Sequence, residues 1–193
     1  MTGPNPTTGA NPTTGPAPMT LPIPVIETDR LILRGHRMSD FETFAAFVAS
    51  DRLTYIGGPG DRFAAWRKFL AQYGQWAMRG YGMWMLESRA TEQPIGHVGI
   101  VHHETWPEPE LGWSVFADGE GHGYAYEAAY AARAHAATHF GMPRLISQIH
   151  PDNARSRALA ERLGARVEKE TTLMGDPCLI YRHPDQREGP DAA

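Results

Sequence analysis

The chain has 193 residues, 41% hydrophobic and 21% charged, which suits a single globular domain with its own core. A formal net charge of −4 argues against a generic binder of nucleic acid or anionic membranes, and no apolar run approaches membrane-spanning length. The single cysteine, Cys178, cannot form an internal disulfide, and no signal-peptide pattern opens the chain, so the expected compartment is the cytoplasm.

Residues 1–24 are made of Pro, Thr, Gly, Ala and Asn, with Asn5-Pro-Thr-Thr-Gly9 recurring as Asn11-Pro-Thr-Thr-Gly15. Such a segment has too little apolar surface to offset the entropy of ordering and reads as a disordered tail. Residues 185–193 read as a second loose tail, which leaves 25–184 as the folded domain. That domain opens on a strand at Leu31 and Leu33. Ser39-Asp-Phe-Glu42 has the form of a capping box ahead of a helix carrying Phe41, Phe44, Ala45 and Val48. Asp61 caps a second helix whose stripe of Phe63, Trp66, Phe69, Leu70 and Tyr73 reads as core packing rather than a substrate pocket. Residues 82–87 and 95–103 form an antiparallel hairpin around a polar turn. After a strand at 111–116 and a glycine-rich loop, a long alanine-rich helix runs over 124–140. A strand at 145–149, a turn at Pro151-Asp-Asn153, a short helix ended by Gly164 and two strands near 167–172 and 178–182 close the chain.

The stretch from Pro109 to Ala129 organises the rest. Gly119, Gly121 and Gly123 lie between a strand and a helix start, where missing β-carbons, outward N–H groups and the helix dipole suit an anion. A dinucleotide loop would need glycine where Tyr126 stands and an acid near 143–147. A P-loop would need Gly-Lys-Ser/Thr, which is absent, so neither fits. The nine histidines show no metal-ligand spacing, and no metal is expected.

Glu120-Gly-His-Gly-Tyr-Ala125 instead resembles the acyl-CoA loop of the GNAT N-acetyltransferase superfamily, and Gly121 through Ala128 resembles its RimJ/RimL-like branch. Thr28-Asp-Arg-Leu-Ile-Leu-Arg34 followed by Ser39-Asp-Phe41 is similar to the opening of that branch. Asn153, Ser156 and Leu163-Gly164 are similar to its Asn-x-x-Ser…Leu-Gly ending. The resemblance implies an α+β fold: a mixed, mostly antiparallel sheet of six to seven strands, flanked by about four helices, with two central strands splayed to admit a pantetheine arm. It implies acetyl-CoA as acyl donor, an amine acceptor (a protein N-terminus or a small molecule), and cofactor contacts from Val115, Phe116, Gly121, His122, Gly123, Tyr124, Ala125, Asn153 and Ser156. A homodimer is compatible with it, whereas nucleic-acid and membrane partners are not expected.

Two departures from the family pattern stand out. Glu120 occupies a position usually held by Arg or Gln, with Asp118 and Glu127 nearby; His122, Arg155, Arg157 or Arg162 could offset these acids. Ala160 stands where many members carry the Tyr that protonates the leaving thiolate, so Ser156 or a water would take that role. Strand alternation makes Glu110 the ionisable group on its face of the 110–115 strand, among apolar neighbours, and hence the candidate general base. His102 and His103 are its competitors. A non-catalytic acyl-CoA-binding domain is the alternative function.

Overall fold

The computed structural model describes residues 20–186. One eight-stranded sheet holds the chain together, with strand order β1-β2-β3-β4-β5-β6-β8-β7. The strands are β1 (Ile26–Glu27), β2 (Leu31–Arg34), β3 (Met83–Ser88), β4 (Pro94–Val101), β5 (Glu110–Val115), β6 (Ile146–Ile149), β7 (Arg166–Leu173) and β8 (Asp176–Arg182). Every neighbouring pair is antiparallel except β5 and β6. Those two are parallel because a helix crosses between them, and their register consists of one pairing, Glu110 with Ile146. Beyond Glu110 the strands part. The expected α+β fold with splayed central strands is what the chain adopts, with eight strands in place of six to seven.

Four α-helices cover the sheet: α1 (Phe41–Val48), α2 (Arg62–Arg79), α3 (Tyr124–His139) and α4 (Ala154–Arg162). Ala128, Ala129, Ala132 and Ala136 of α3 are wholly buried among Leu31, Trp84, Val98, Ile100 and Leu111. Small side chains let α3 lie close to β4 and β5, which aims its N-terminus at the C-terminal end of β5. A second cluster packs Phe44, Phe47 and Val48 of α1 with Phe69 of α2, Met85 and Phe116.

Three sequence expectations change. The folded unit begins before residue 25: Leu21 and Ile23 pack on the main core, the Leu21 N–H donates to the Tyr73 hydroxyl at 2.9 Å, and the Trp84 indole donates to the Pro24 carbonyl at 2.7 Å. The unit also ends later, since Asp185 is buried against Arg144 Nε at 2.9 Å. Two alternating apolar residues in a polar segment are enough to dock it, a signal that composition averages away. Residues 1–19 and 187–193 of the two expected tails lie outside the described residues.

Ser39 and Glu42 do not form a capping box. Asp40 accepts the Arg37 N–H at 2.7 Å and takes the Arg34 guanidinium in a two-pronged pair at 2.8 and 2.9 Å, while Glu42 pairs with Arg62. The α2 stripe is also rotated. Ala65, Phe69 and Trp76 are the buried residues of that helix, and Phe63 and Leu70 are 68% and 48% exposed.

Candidate functional site

β5 runs straight into the glycine loop. Residues Ala117–Gly119 make one 3-10 turn, Gly121 and Gly123 take left-handed backbone angles (φ 78° and 76°), and α3 starts at Tyr124 with Gly123 as its N-cap. Only glycine adopts such angles freely, and nothing lies within 4 Å of where a Gly121 β-carbon would be. The first-turn N–H groups of Tyr124 and Ala125 have no intrahelical acceptor, as at any helix start, so the loop presents donors to its front. Gly119 has a different reason for being glycine. A β-carbon there would come within 2.9 Å of the Ile95 carbonyl, so it serves packing against β4.

In front of the loop lies a cavity of about 440 Å³, lined by the loop, the C-terminal half of β5 and the start of α4. Its apolar wall includes Phe47, Ile56, Trp113, Val115 and Leu159, and its polar rim includes Arg52, Glu120, Arg155 and Arg162. Outward N–H groups beside guanidiniums suit a diphosphate, and the apolar wall that β5 and α4 give the cavity suits an aliphatic arm with its amides. The residues present therefore fit acyl-CoA.

Two of the three acids around the loop, Glu127 and Glu120, are less hostile to an anion than their sequence suggests. Glu127 turns away, accepting from Thr28 Oγ1 at 2.6 Å and from Arg30 Nε at 2.7 Å. Arg30 also donates to the His122 carbonyl at 2.9 Å, so the β1–β2 turn buttresses the loop. Glu120 is paired with Arg52 and with Arg155, the latter at 2.6 Å, and these guanidiniums hold its carboxyl below the usual range. Of the four groups considered as offsets, Arg155 takes that role at Glu120. Arg157 instead donates to Tyr181 and to the Pro151 carbonyl. Arg30 and Arg52 were not legible as site residues, because nothing in the local sequence ties them to partners 97 and 68 residues away.

Asn153 and Ser156 both line the cavity. The Asn153 side chain caps α4, accepting the Ser156 N–H at 3.2 Å. The Trp113 indole donates to Ser156 Oγ at 3.3 Å, which leaves the hydroxyl proton available to another acceptor. Val115, Gly121, Gly123, Tyr124 and Ala125 also line the cavity, whereas Phe116 and His122 do not. Phe116 is 4% exposed and packs on the Phe47 ring: β5 has ended at Val115, and burial in the aromatic cluster of α1 and α2 leaves its side chain no surface for a ligand. The His122 ring lies outside, stacked on Tyr124. Ala160 is fully buried against Ile149, Ala165, Leu179 and Tyr181, away from the cavity lining.

Glu110 sits at the fork of β5 and β6, 9% exposed and outside the cavity lining. Its carboxylate accepts from the Gln148 backbone N–H at 3.3 Å and from Gln148 Nε2 at 3.0 Å. Burial pushes its pKa up to about 7, and the two bonds from Gln148 oppose that only in part. His102 and His103 follow Val101, the residue paired with Glu110, and so lie past the end of β5 remote from the loop. His102 contacts the Tyr81 hydroxyl and the Trp106 carbonyl, and burial lowers the His103 pKa. Among the described residues no cluster of His, Cys, Asp and Glu could hold a metal, and no helix is long and apolar enough to cross a membrane.

A forked parallel pair, a glycine loop at a helix start and a cavity suited to acyl-CoA define a class of acyl-CoA-dependent transferases. A family model described as an acetyltransferase (GNAT) domain matches residues 30–166, and the chain belongs to that family. It is thus an acetyl-CoA-dependent acetyltransferase. It is 37% identical to an acetyltransferase from Agrobacterium tumefaciens str. C58, with a TM-score of 0.78 over 88% of this chain and 99% of that one. The uncharacterized protein YkkB of Bacillus subtilis (strain 168) is 28% identical over 163 residues, 80% of this chain and 92% of that protein. RimL, a ribosomal L7/L12 alpha-N-protein acetyltransferase in complex with coenzyme A, is 17% identical with a TM-score of 0.71, covering 86% of this chain and 100% of that one, which is a likeness of fold.

Proposed function

We propose that the chain acetylates a primary amine by direct attack on acetyl-CoA, with Glu110 as general base. The observation that carries this reading is a buried carboxylate with a pKa near 7, placed where β5 and β6 part. A carboxyl in the ordinary range would be too weak a base for an ammonium substrate, whereas one near 7 is half ionised at neutral pH and can take the proton. Acetyl-CoA supplies the thioester carbonyl. The amine nitrogen forms the new C–N bond, the C–S bond breaks, and the thiolate takes a proton from Ser156 Oγ or from water. A thiolate is a tolerable leaving group, so the absence of a tyrosine at Ala160 does not block the reaction.

Because β6 diverges, alternate N–H groups of β5 beyond Glu110 face a gap instead of a strand, and such donors suit a developing oxyanion. Gly121, Gly123, Tyr124 and Ala125 would hold the diphosphate, and Trp113, Val115 and Asn153 the arm behind it. The α-amine of a protein chain is the first acceptor to try, since the RimL protein of like fold is named for that reaction; small-molecule amines complete the panel.

Thiol release from acetyl-CoA across the amine panel tests the reading. Release that depends on an added amine is the expected result, and release with no dependence on any amine in the panel would overturn direct transfer to a primary amine.

A further inference from the structure

Glu120 is one of the two departures from the family pattern, and it has a pair of cationic partners. Arg52 comes from the 3-10 turn after α1 (Asp51–Leu53), and Arg155 from the first turn of α4. Both guanidiniums use Nη1, and both meet the same carboxylate oxygen, Oε1. Arg52 Nη1 also reaches the Val115 carbonyl at 3.5 Å, which ties it to the last residue of β5. All three side chains are on the cavity rim beside Gly121. Two cations from separate elements converging on one oxygen, next to outward N–H groups, form an anion site whose anion belongs to the protein.

The pairing is also easy to exchange. The side chains are 25%, 38% and 76% exposed for Arg52, Glu120 and Arg155, so solvent screens the pairs and each is weak. A phosphate carries as much charge or more and presents several oxygens in a geometry that guanidinium forks match. We infer that Glu120 is a stand-in anion: it keeps Arg52 and Arg155 converged on the rim, and the 5′-diphosphate of acyl-CoA displaces its carboxylate from both. The diphosphate is the group chosen because Glu120 is contiguous with the loop, so one ligand can meet the N–H groups of 121–125 and the two guanidiniums together. This rests on the acetyl-CoA reading. It adds a specific consequence, that Glu120 competes with the cofactor while holding its ligands ready.

Calorimetric titration with CoA and with dephospho-CoA, which lacks the 3′-phosphate, tests it on the full-length protein, with melting temperature as the folding control. Glu120→Gln should bind both probes about threefold more tightly at low salt, the gain from removing a weak competitor. Arg52→Met and Arg155→Met should each bind both probes about tenfold more weakly, and Arg52→Lys should recover only part of the loss. If Glu120 merely braces the loop, Glu120→Gln binds more weakly or unchanged, and the proposal fails. If the arginine variants lose affinity for CoA but not for dephospho-CoA, the pair reads the 3′-phosphate and the diphosphate assignment is overturned. Wild-type protein that binds neither probe would overturn the acetyl-CoA reading itself, whereas normal CoA binding by both arginine variants would sink this inference alone.

Discussion

Two glutamates ten residues apart, Glu110 at the start of β5 and Glu120 in the glycine loop beyond it, have opposite fates. Glu110 is buried at the fork, accepts two hydrogen bonds from Gln148, and has its pKa raised to about 7. Glu120 is on the rim, lies between two guanidiniums, and has its pKa lowered. Desolvation dominates the first and charge pairing the second. The difference shows that residue type does not assign a role here. A carboxylate kept from water is pushed toward neutral pH, and the same group beside two arginines is held ionised, and the roles proposed for the two rest on that difference.

The comparison breaks most sharply at Glu110. Replacing it with Gln should lower kcat by about 100-fold or more while CoA binding stays intact. In the wild type, kcat/KM should climb as pH rises through about 7, where Glu110 loses its proton, and the variant should lack that inflection. Stability runs the other way. The folded pKa lies above the unfolded one, so this contribution is fully present below about 4.5 and is lost as pH rises through about 7. The Gln variant should therefore hold its melting temperature better on the alkaline side. A wild-type kcat with only a raised KM for the amine would make Glu110 a substrate anchor and send the search for a base back to His102 or His103.

The glycine loop should respond in binding instead. Gly123→Asp puts a carboxylate on the N-cap residue at the proposed diphosphate site, and CoA affinity should fall by at least tenfold, about 1.4 kcal/mol, with some loss of melting temperature because the left-handed angle at 123 strains any residue other than glycine. Normal CoA binding by this variant would remove the loop from the site. The smallest effect should come from Gln148→Leu. It deletes one of the two bonds that hold the Glu110 pKa down, so the inflection in kcat/KM should move to higher pH and the rate at pH 7 drop about twofold to threefold. A shift toward acid would mean that Gln148 does not act on the carboxylate.

What the sequence by itself determined is the order of elements and the loop. Apolar alternation marked the strands, Asp61 marked the start of α2, the alanines of α3 marked its close-packed face, and the spacing of Gly121 and Gly123 marked a left-handed loop ahead of a helix, because these are short-range properties of backbone sterics and periodicity. Tertiary structure decided everything that depends on partners distant in sequence. It brought Arg52 and Arg155 to Glu120 across 68 and 35 residues, Arg30 and Thr28 to Glu127, and Gln148 to Glu110. It also sent Phe116 into the α1 cluster, docked Leu21 and Ile23 on the core, and drew Glu42 to Arg62 instead of back to Ser39. Charge and burial around a site are sums over space, and a chain read in one dimension shows only the neighbours along the backbone.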